Sequence, residues 1–273
     1  MAEPKVVIVA VIQCQARSFA SPVPIAVACA LVGTGALVIS CLILDRPQLH
    51  TAVNALNLLI ALAAAVCLMT AVGTLSLLRP RADRFGAVIT MGWPLLGMAG
   101  AVALLVLLFS EQSSGQTAAV SPAWFFIGIG LTAVFEEVLF RGTVLPVLAQ
   151  SGRWPLKPVL SSAALFAAAH LIALFGGEDV QFVATVTQVL YTFCIGVLLA
   201  AIMLSTRNLW IPITLHLIFN VFGDLGVLLN GARSPDAPAG DMSLPVAGLM
   251  VVLALPMLVV GLRIARRLPE TVQ

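Results

Sequence analysis

The sequence predicts an all-α protein that crosses a membrane with about eight helices. Of its 273 residues, 60% are hydrophobic and only 10% are charged, and the mean hydropathy is +1.08. Long apolar runs with so little charge are typical of membrane proteins. The runs are continuous rather than alternating, which excludes a transmembrane barrel. A net charge of +2 gives no reason to expect a nucleic-acid partner, so the lipid bilayer is the first predicted partner.

Eight apolar stretches are each long enough to form a transmembrane helix, which needs about 20 residues. Segments rich in turn-forming and charged residues separate them. The stretches are 22–44, 51–78, 86–109, 122–149, 157–175, 181–205, 209–230 and 243–264. The predicted domains are a cytoplasmic or interfacial segment 1–21, a transmembrane domain 22–264 and a cytoplasmic tail 265–273. The connection 231–242, rich in Pro, Gly and Asp, is expected to be a mobile outer loop.

The distribution of Lys and Arg residues predicts that both termini are cytoplasmic. With the N-terminus inside, eleven basic residues fall on the cytoplasmic side and two on the outer side, while Arg141 lies within a span. This excess follows the positive-inside rule, and an odd number of spans would remove it. The inner residues are Lys5, Arg17, Arg79, Arg81, Arg84, Arg153, Lys157, Arg207, Arg263, Arg266 and Arg267, and the outer ones are Arg46 and Arg233.

The fourth span contains the most unusual feature of the chain, two adjacent glutamates followed by an arginine. An ionised side chain near the bilayer centre costs at least about 2.5–3.5 kcal/mol on insertion scales, so such groups normally face a protein interior. Glu137 and Arg141 are four residues apart with the acid first, the favoured order for an ion pair within a helix. Glu136 points about 100° away from Glu137 around the helix axis. We therefore expect Glu136 to be available for chemistry and the pair of Glu137 and Arg141 to support the site.

Two further spans contribute polar side chains. His170 lies in the fifth span, and His216 and Asn220 lie four residues apart on one face of the seventh. Counting about 1.5 Å per residue places Glu136 and His170 near the middle of the bilayer, with His216 on its cytoplasmic side. A buried carboxylate can take a proton from water and return it to a leaving amine, while imidazoles and an amide can orient water, hold a metal or stabilise an oxyanion. No Ser or Cys has an obvious partner base, so the set favours hydrolysis by activated water over a covalent nucleophile.

Three motifs in this order, EExxxR, FxxxH and HxxxN, resemble those of the CPBP family, which comprises CAAX proteases and bacteriocin-processing enzymes and is also called the Abi family. The resemblance covers residues 122–224, and the motif positions are Glu136, Glu137, Arg141, Phe166, His170, His216 and Asn220. It implies an eight-helix, glutamate-dependent endopeptidase whose catalytic chamber lies within the membrane, with the catalytic core here at about 122–230. The implied substrate is a membrane-associated peptide or protein.

The resemblance also implies a role for each motif residue. Glu136 would activate the attacking water as a general base, and His170 would help to orient and deprotonate that water. His216 and Asn220 would stabilise the tetrahedral oxyanion. The ion pair that follows Glu136 would hold the geometry of the site.

The sequence leaves two mechanisms open, one without a metal and one with zinc. The HExxH pattern of common zinc proteases is absent, which slightly favours water activation without a metal. A His₂Glu zinc set could still be assembled from Glu136, His170 and His216.

Three other interpretations compete with the protease. The charged cluster could be a structural ion-pair network. A non-catalytic immunity or scaffold protein of the same fold could bind a peptide toxin or another partner, and this interpretation predicts that Glu136→Gln is tolerated. A transporter that uses the two glutamates as proton sites predicts broken helices or repeat symmetry, and the sequence indicates neither.

The small, Ala-rich chain is typical of a prokaryotic cytoplasmic-membrane protein. We expect the substrate to enter laterally or from the cytoplasmic side, with cleavage in the cytoplasmic half of the bilayer. Asp224 lies one turn beyond Asn220. It is interpreted as a snorkelling or capping residue and is left outside the predicted site.

Overall fold

The computed structural model describes residues 19–44, 50–109, 117–118, 120–151, 154–175, 181–233 and 242–269. Most of the predicted segment 1–21, most of the loop 231–242 and the end of the tail 265–273 lie outside these residues. The eight principal helices are α1 (Pro22–Leu44), α2 (His50–Val72), α3 (Trp93–Phe109), α4 (Pro122–Leu139), α5 (Leu156–Ala169), α6 (Phe182–Thr206), α7 (Trp210–Gly223) and α8 (Leu244–Arg267).

Short helical segments join or extend these helices. They are Leu75–Leu78, Ala87–Thr90, Phe140–Val144, Leu145–Leu148, Ala149–Ser151, His170–Phe175 and Leu225–Asn230. The described strands are β1 (Thr117–Ala118) and β2 (Ala232–Arg233), which form one antiparallel pair that ties the start of α4 to the connection after α7.

The all-α fold of the prediction is confirmed, and each of the eight predicted stretches overlaps one principal helix. Six described helical segments are long and apolar enough to cross a membrane, including Pro122–Leu148 with 27 residues. The helices α3 and α7 are shorter, because each is interrupted: Gly92 and Pro94 bracket the start of α3, and α7 ends before Asp224. The direction in which the bundle crosses the bilayer stays a prediction.

The second predicted stretch, 51–78, is longer than the α-helix found there. Helix α2 ends at Val72 because Gly73 adopts a left-handed conformation with φ 83°, which costs glycine little and commonly ends a helix. The backbone N–H of Thr74 then donates to the carbonyl of Met69 at 2.9 Å. The remaining residues Leu75–Leu78 form one turn of 3₁₀-helix.

Helix α4 passes into a π-helical turn, Phe140–Val144, directly after the two glutamates. Such turns are rare in proteins, and those that occur are often found at functional sites. A local cause is Pro146, which has no N–H to donate to the carbonyl of Gly142 as an α-helix requires. The hydroxyl of Thr74, which is fully buried, donates to that carbonyl at 2.6 Å. The turn that carries Arg141 is therefore fixed from outside the helix.

Helix α6 is the central helix of the bundle. Every residue from 194 to 204 is buried, and α6 packs against both α5 and α8. Two glycines allow this close approach. A Cβ at Gly196 would lie 3.0 Å from the Cβ of Ala163 on α5, and a Cβ at Gly261 on α8 would lie 2.8 Å from the backbone nitrogen of Leu198. Backbone contact at these positions brings α5 and its histidine close to the core.

A polar network fixes the turn between α6 and α7. The side-chain amide of Asn208 donates to the carbonyls of Arg81 and Asp83, at 2.9 and 3.1 Å. Arg81 and Asp83 form an exposed ion pair at 2.8 Å, and this bond lowers the pKa of the Asp83 carboxyl. Burial, with the nearby positive charges of Arg84 and Arg81, lowers the pKa of Arg207 at the end of α6. The turn thereby sets the start of the helix that carries the second histidine.

Candidate active site

The four predicted catalytic side chains line one cavity inside the bundle. Glu136 on α4, His170 at the end of α5, and His216 and Asn220 on α7 all face a space of about 290 Å³. That volume is large enough for several water molecules, each of which occupies about 30 Å³ in the liquid. Side chains of α3, α6 and α8 complete the wall.

The buried ion pair lies directly behind this cavity. Glu137 and Arg141 are both fully buried, and the Nη1 atom of Arg141 lies 2.6 Å from Oε1 of Glu137, the pairing that their spacing predicts. The guanidinium also stacks on the ring of Phe166, 4.4 Å from its centroid, and its Nη2 lies 3.5 Å from the carbonyl of Gly196. A buried charge needs such partners, since an unpaired one is strongly destabilising.

The same carboxylate oxygen that holds the arginine also holds His216. The Nδ1 atom of His216 lies 2.8 Å from Oε1 of Glu137. On the other side of the ring, Nε2 lies 3.5 Å from Oε2 of Glu136, whose side chain is 19% exposed. His216 therefore lies between the two glutamates, hydrogen-bonded to the buried one and 3.5 Å from the one that faces the cavity.

The partners of the two histidines indicate which ring nitrogen carries a proton. A carboxylate oxygen only accepts, so Nδ1 of His216 is an N–H donor to Glu137. Nδ1 of His170 lies 3.0 Å from the carbonyl of Phe166, which also only accepts. In both rings Nε2 is therefore the nitrogen that is available to contact water or substrate. For His170 this nitrogen is an acceptor in the neutral ring, as binding or deprotonating a water requires.

Aromatic packing holds the two imidazoles in place. The ring of Phe166 contacts His170 and His216 edge to face, with centroids 5.1 and 5.9 Å apart. Phe166 is 1% exposed. Since its ring also lies under the guanidinium, one phenylalanine positions the arginine and both histidines.

A second, more apolar cavity of about 230 Å³ meets the first at Glu136 and His170. Leu37 and Val38 of α1 line it on one side, and Ile172 lines it beyond the end of α5. The candidate site thus has a polar side, which runs toward the end of α7, and an apolar side between α1 and α5.

The structure adds residues that the motifs do not include. Thr132, Gln188 and Tyr191 line the polar cavity, and Thr74 supports the turn that carries the arginine. Gln188 and Tyr191 could have been identified from the sequence. A polar glutamine and the single tyrosine of the chain are both conspicuous within an apolar stretch. The contribution of Thr74 depends on a contact between helices that are far apart in sequence.

The arrangement does not provide a ready metal site. Within the described ranges, no three His, Cys, Asp or Glu side chains are placed to hold one ion. The candidate zinc set of Glu136, His170 and His216 is therefore not assembled in this structure, and zinc as a cofactor stays a prediction.

Comparison with known proteins identifies one family that is similar to part of this chain. Residues 118–222 match a family model described as type II CAAX prenyl endopeptidase Rce1-like. No curated protein matches the chain. The matched segment runs from β1 almost to the end of α7 and includes all the motif positions. It confirms the resemblance that the three motifs carry: residues 118–222 are similar to the family of type II CAAX prenyl endopeptidases of the Rce1-like type.

Proposed function

We propose that this protein is an intramembrane endopeptidase that hydrolyses a peptide bond of a membrane-associated peptide or protein with water activated at Glu136. The observation that carries the proposal is the convergence of Glu136, His170, His216 and Asn220 on one cavity within a bundle of apolar helices. A carboxylate, two imidazoles and an amide are a sufficient set for acid–base hydrolysis.

The charge of Arg141 is paired with Glu137, so Glu136 does not have to serve as its counter-charge. In the proposed mechanism Glu136 acts as the carboxylate base, and Nε2 of His216, which lies 3.5 Å from Oε2 of Glu136, acts as a hydrogen-bond donor.

The proposed reaction begins with a water between Glu136 and Nε2 of His170. Glu136 takes a proton from this water as its oxygen attacks the carbonyl carbon of the substrate. The oxyanion that forms accepts hydrogen bonds from the amide of Asn220 and from protonated Nε2 of His216. Glu136 then returns the proton to the leaving amine.

The second cavity supports lateral entry of the substrate. Its walls are apolar and reach Glu136 from between α1 and α5. The polar cavity runs instead toward Asp224 at the end of α7, which is the outer end in the predicted orientation. Of the two routes that the sequence predicts, the cavities thus favour entry from the bilayer over entry from the cytoplasm.

A cleavage assay on the reconstituted protein tests the proposal. Wild type, Glu136→Gln and His170→Ala are compared in vesicles against the peptide fraction of a membrane extract, with products resolved by mass. Glu136→Gln keeps the shape of the side chain, and we expect it to lower the cleavage rate by about 10³-fold or more. Asp83→Asn, on an exposed loop, is the matched control and should cleave like wild type. Equal products from wild type and both site variants would contradict the enzyme and favour the non-catalytic immunity or scaffold protein.

A further inference from the structure

Asp224 is an exposed residue at the end of α7 that also lines the catalytic cavity. It lies between α7 and the short helix Leu225–Asn230, yet its side chain makes no capping hydrogen bond to that helix. Among the residues that the structure describes, its carboxylate has neither a hydrogen bond nor an ion pair. The capping role is therefore wrong, whereas the snorkelling role is compatible with the exposed position of this residue. The carboxylate lines the catalytic cavity, at the end away from His170.

Besides His216, which the proposed mechanism pairs with Glu136, the described lining of this cavity contains one further ionisable acid, the carboxylate of Asp224, and no Lys or Arg. Field lines concentrate in a cleft with walls of low polarity, so a carboxylate there attracts a cation more strongly than it would in open solvent. Tyr191 lines the same cavity as Asp224. Its ring packs on that of Phe219, with ring centroids 6.1 Å apart. Aromatic faces of this kind add to the attraction for a cation.

The distance along α7 relates Asp224 to the reacting bond. Asn220, the proposed oxyanion donor, lies four residues before Asp224, which is about 6 Å along a helix. An extended peptide advances about 3.3 Å per residue. A substrate side chain that meets Asp224 therefore belongs to a residue about two positions from the cleaved bond.

We propose that Asp224, with Tyr191 beside it, forms a subsite that binds a basic side chain of the substrate about two residues from the cleaved bond. The subsite rests on the proposed function, since it selects among peptides that Glu136 cleaves. The expected substrates are membrane-associated peptides with Lys or Arg near the cleaved bond. Peptides with an acidic residue at that position should be poor substrates.

The test measures charge selectivity at one position. The parent is the peptide that wild type cleaves in the assay above, and three synthetic versions carry Lys, Leu or Glu two residues from the bond, on each side in turn. The measured quantity is the ratio of kcat/KM for the Lys peptide to that for the Leu peptide. We expect a ratio of about 10 for wild type on one side of the bond, because an ion pair of about 1.4 kcal/mol corresponds to a tenfold change.

Four variants separate selectivity from folding. Asp224→Asn should bring the ratio close to one, Asp224→Glu should keep most of it, and Asp224→Lys should shift the preference to the Glu peptide. Asp83→Asn, an aspartate at the opposite end of the bundle, should leave the ratio as in wild type. A ratio that is unchanged in Asp224→Asn and in Asp224→Lys would overturn the subsite, as would a fall in rate that is equal for all three peptides. Failure of the proposed function itself has another signature, since Glu136→Gln would then cleave as fast as wild type.

Discussion

The two adjacent glutamates should respond very differently to the same substitution. Glu137→Gln keeps the shape of the side chain but leaves the guanidinium of Arg141, which is fully buried and 2.6 Å away, without its counter-charge. Removing one partner of a buried ion pair costs about 3–5 kcal/mol. The glutamine oxygen can still accept a hydrogen bond, so we expect the lower end of this range, about 3 kcal/mol. In a chain of this size that corresponds to a fall of roughly 6–12 °C in Tm.

Glu136→Gln is the matched control for this prediction. Its side chain is 19% exposed, and its ionisable neighbour, Nε2 of His216, is 3.5 Å away. Partly exposed pairs of this kind contribute about 1 kcal/mol or less. The same substitution one residue earlier should therefore leave Tm within about 3 °C of wild type while it removes activity.

The measurement is thermal unfolding in one fixed detergent, monitored through intrinsic tryptophan fluorescence. A double variant, Glu137→Leu with Arg141→Met, should recover most of the lost stability, because apolar residues of similar volume often replace a buried pair without loss. Equal Tm values for Glu136→Gln and Glu137→Gln would refute the assignment of the buried counter-charge to Glu137. A double variant less stable than Glu137→Gln alone would refute the explanation by an uncompensated arginine.

Two further predictions concern the support of the site and its cofactor. Thr74→Val removes the hydroxyl that donates to the carbonyl of Gly142 at 2.6 Å and should lower the free energy of unfolding by about 1–3 kcal/mol. Thr70→Val, on the exposed face of helix α2, which ends just before Thr74, should change it by less than about 0.5 kcal/mol. Equal losses would show that the π-helical turn does not depend on the bond of Thr74. Cleavage should persist after treatment with a strong chelator, with less than about 0.1 metal ion per chain by elemental analysis. Loss of activity that only Zn²⁺ restores would instead establish the zinc alternative.

Hydropathy could predict the helices because the bilayer imposes the same requirement on every span. A helix that crosses hydrocarbon must satisfy its own backbone and carry about 20 apolar residues, so length and composition are visible without tertiary information. The points at which these helices are interrupted were harder to predict from the sequence. Gly73 shortens α2, and Pro146 marks the π-helical turn, yet both residues also occur in continuous helices of other membrane proteins.

The motif spacing could predict the intrahelical part of the site. Glu137 and Arg141 are neighbours on any helix because they are four residues apart, and the same holds for His216 and Asn220. Contacts between helices could not be predicted in this way. The second bond of Glu137, to a histidine 79 residues later, depends on how α4 and α7 pack.

By itself, the sequence determined the all-α membrane fold, the family resemblance and the identity of the polar residues, because an ionisable group in an apolar span is conspicuous wherever it lies. The tertiary structure decided what those residues touch. It placed His216 between the two glutamates, brought Thr74 to the π-helical turn and set Asp224, at the end of α7, among the residues that line the cavity. The physical reason is that hydrogen bonds and charge compensation act over a few ångströms in space, and helix packing alone sets those distances.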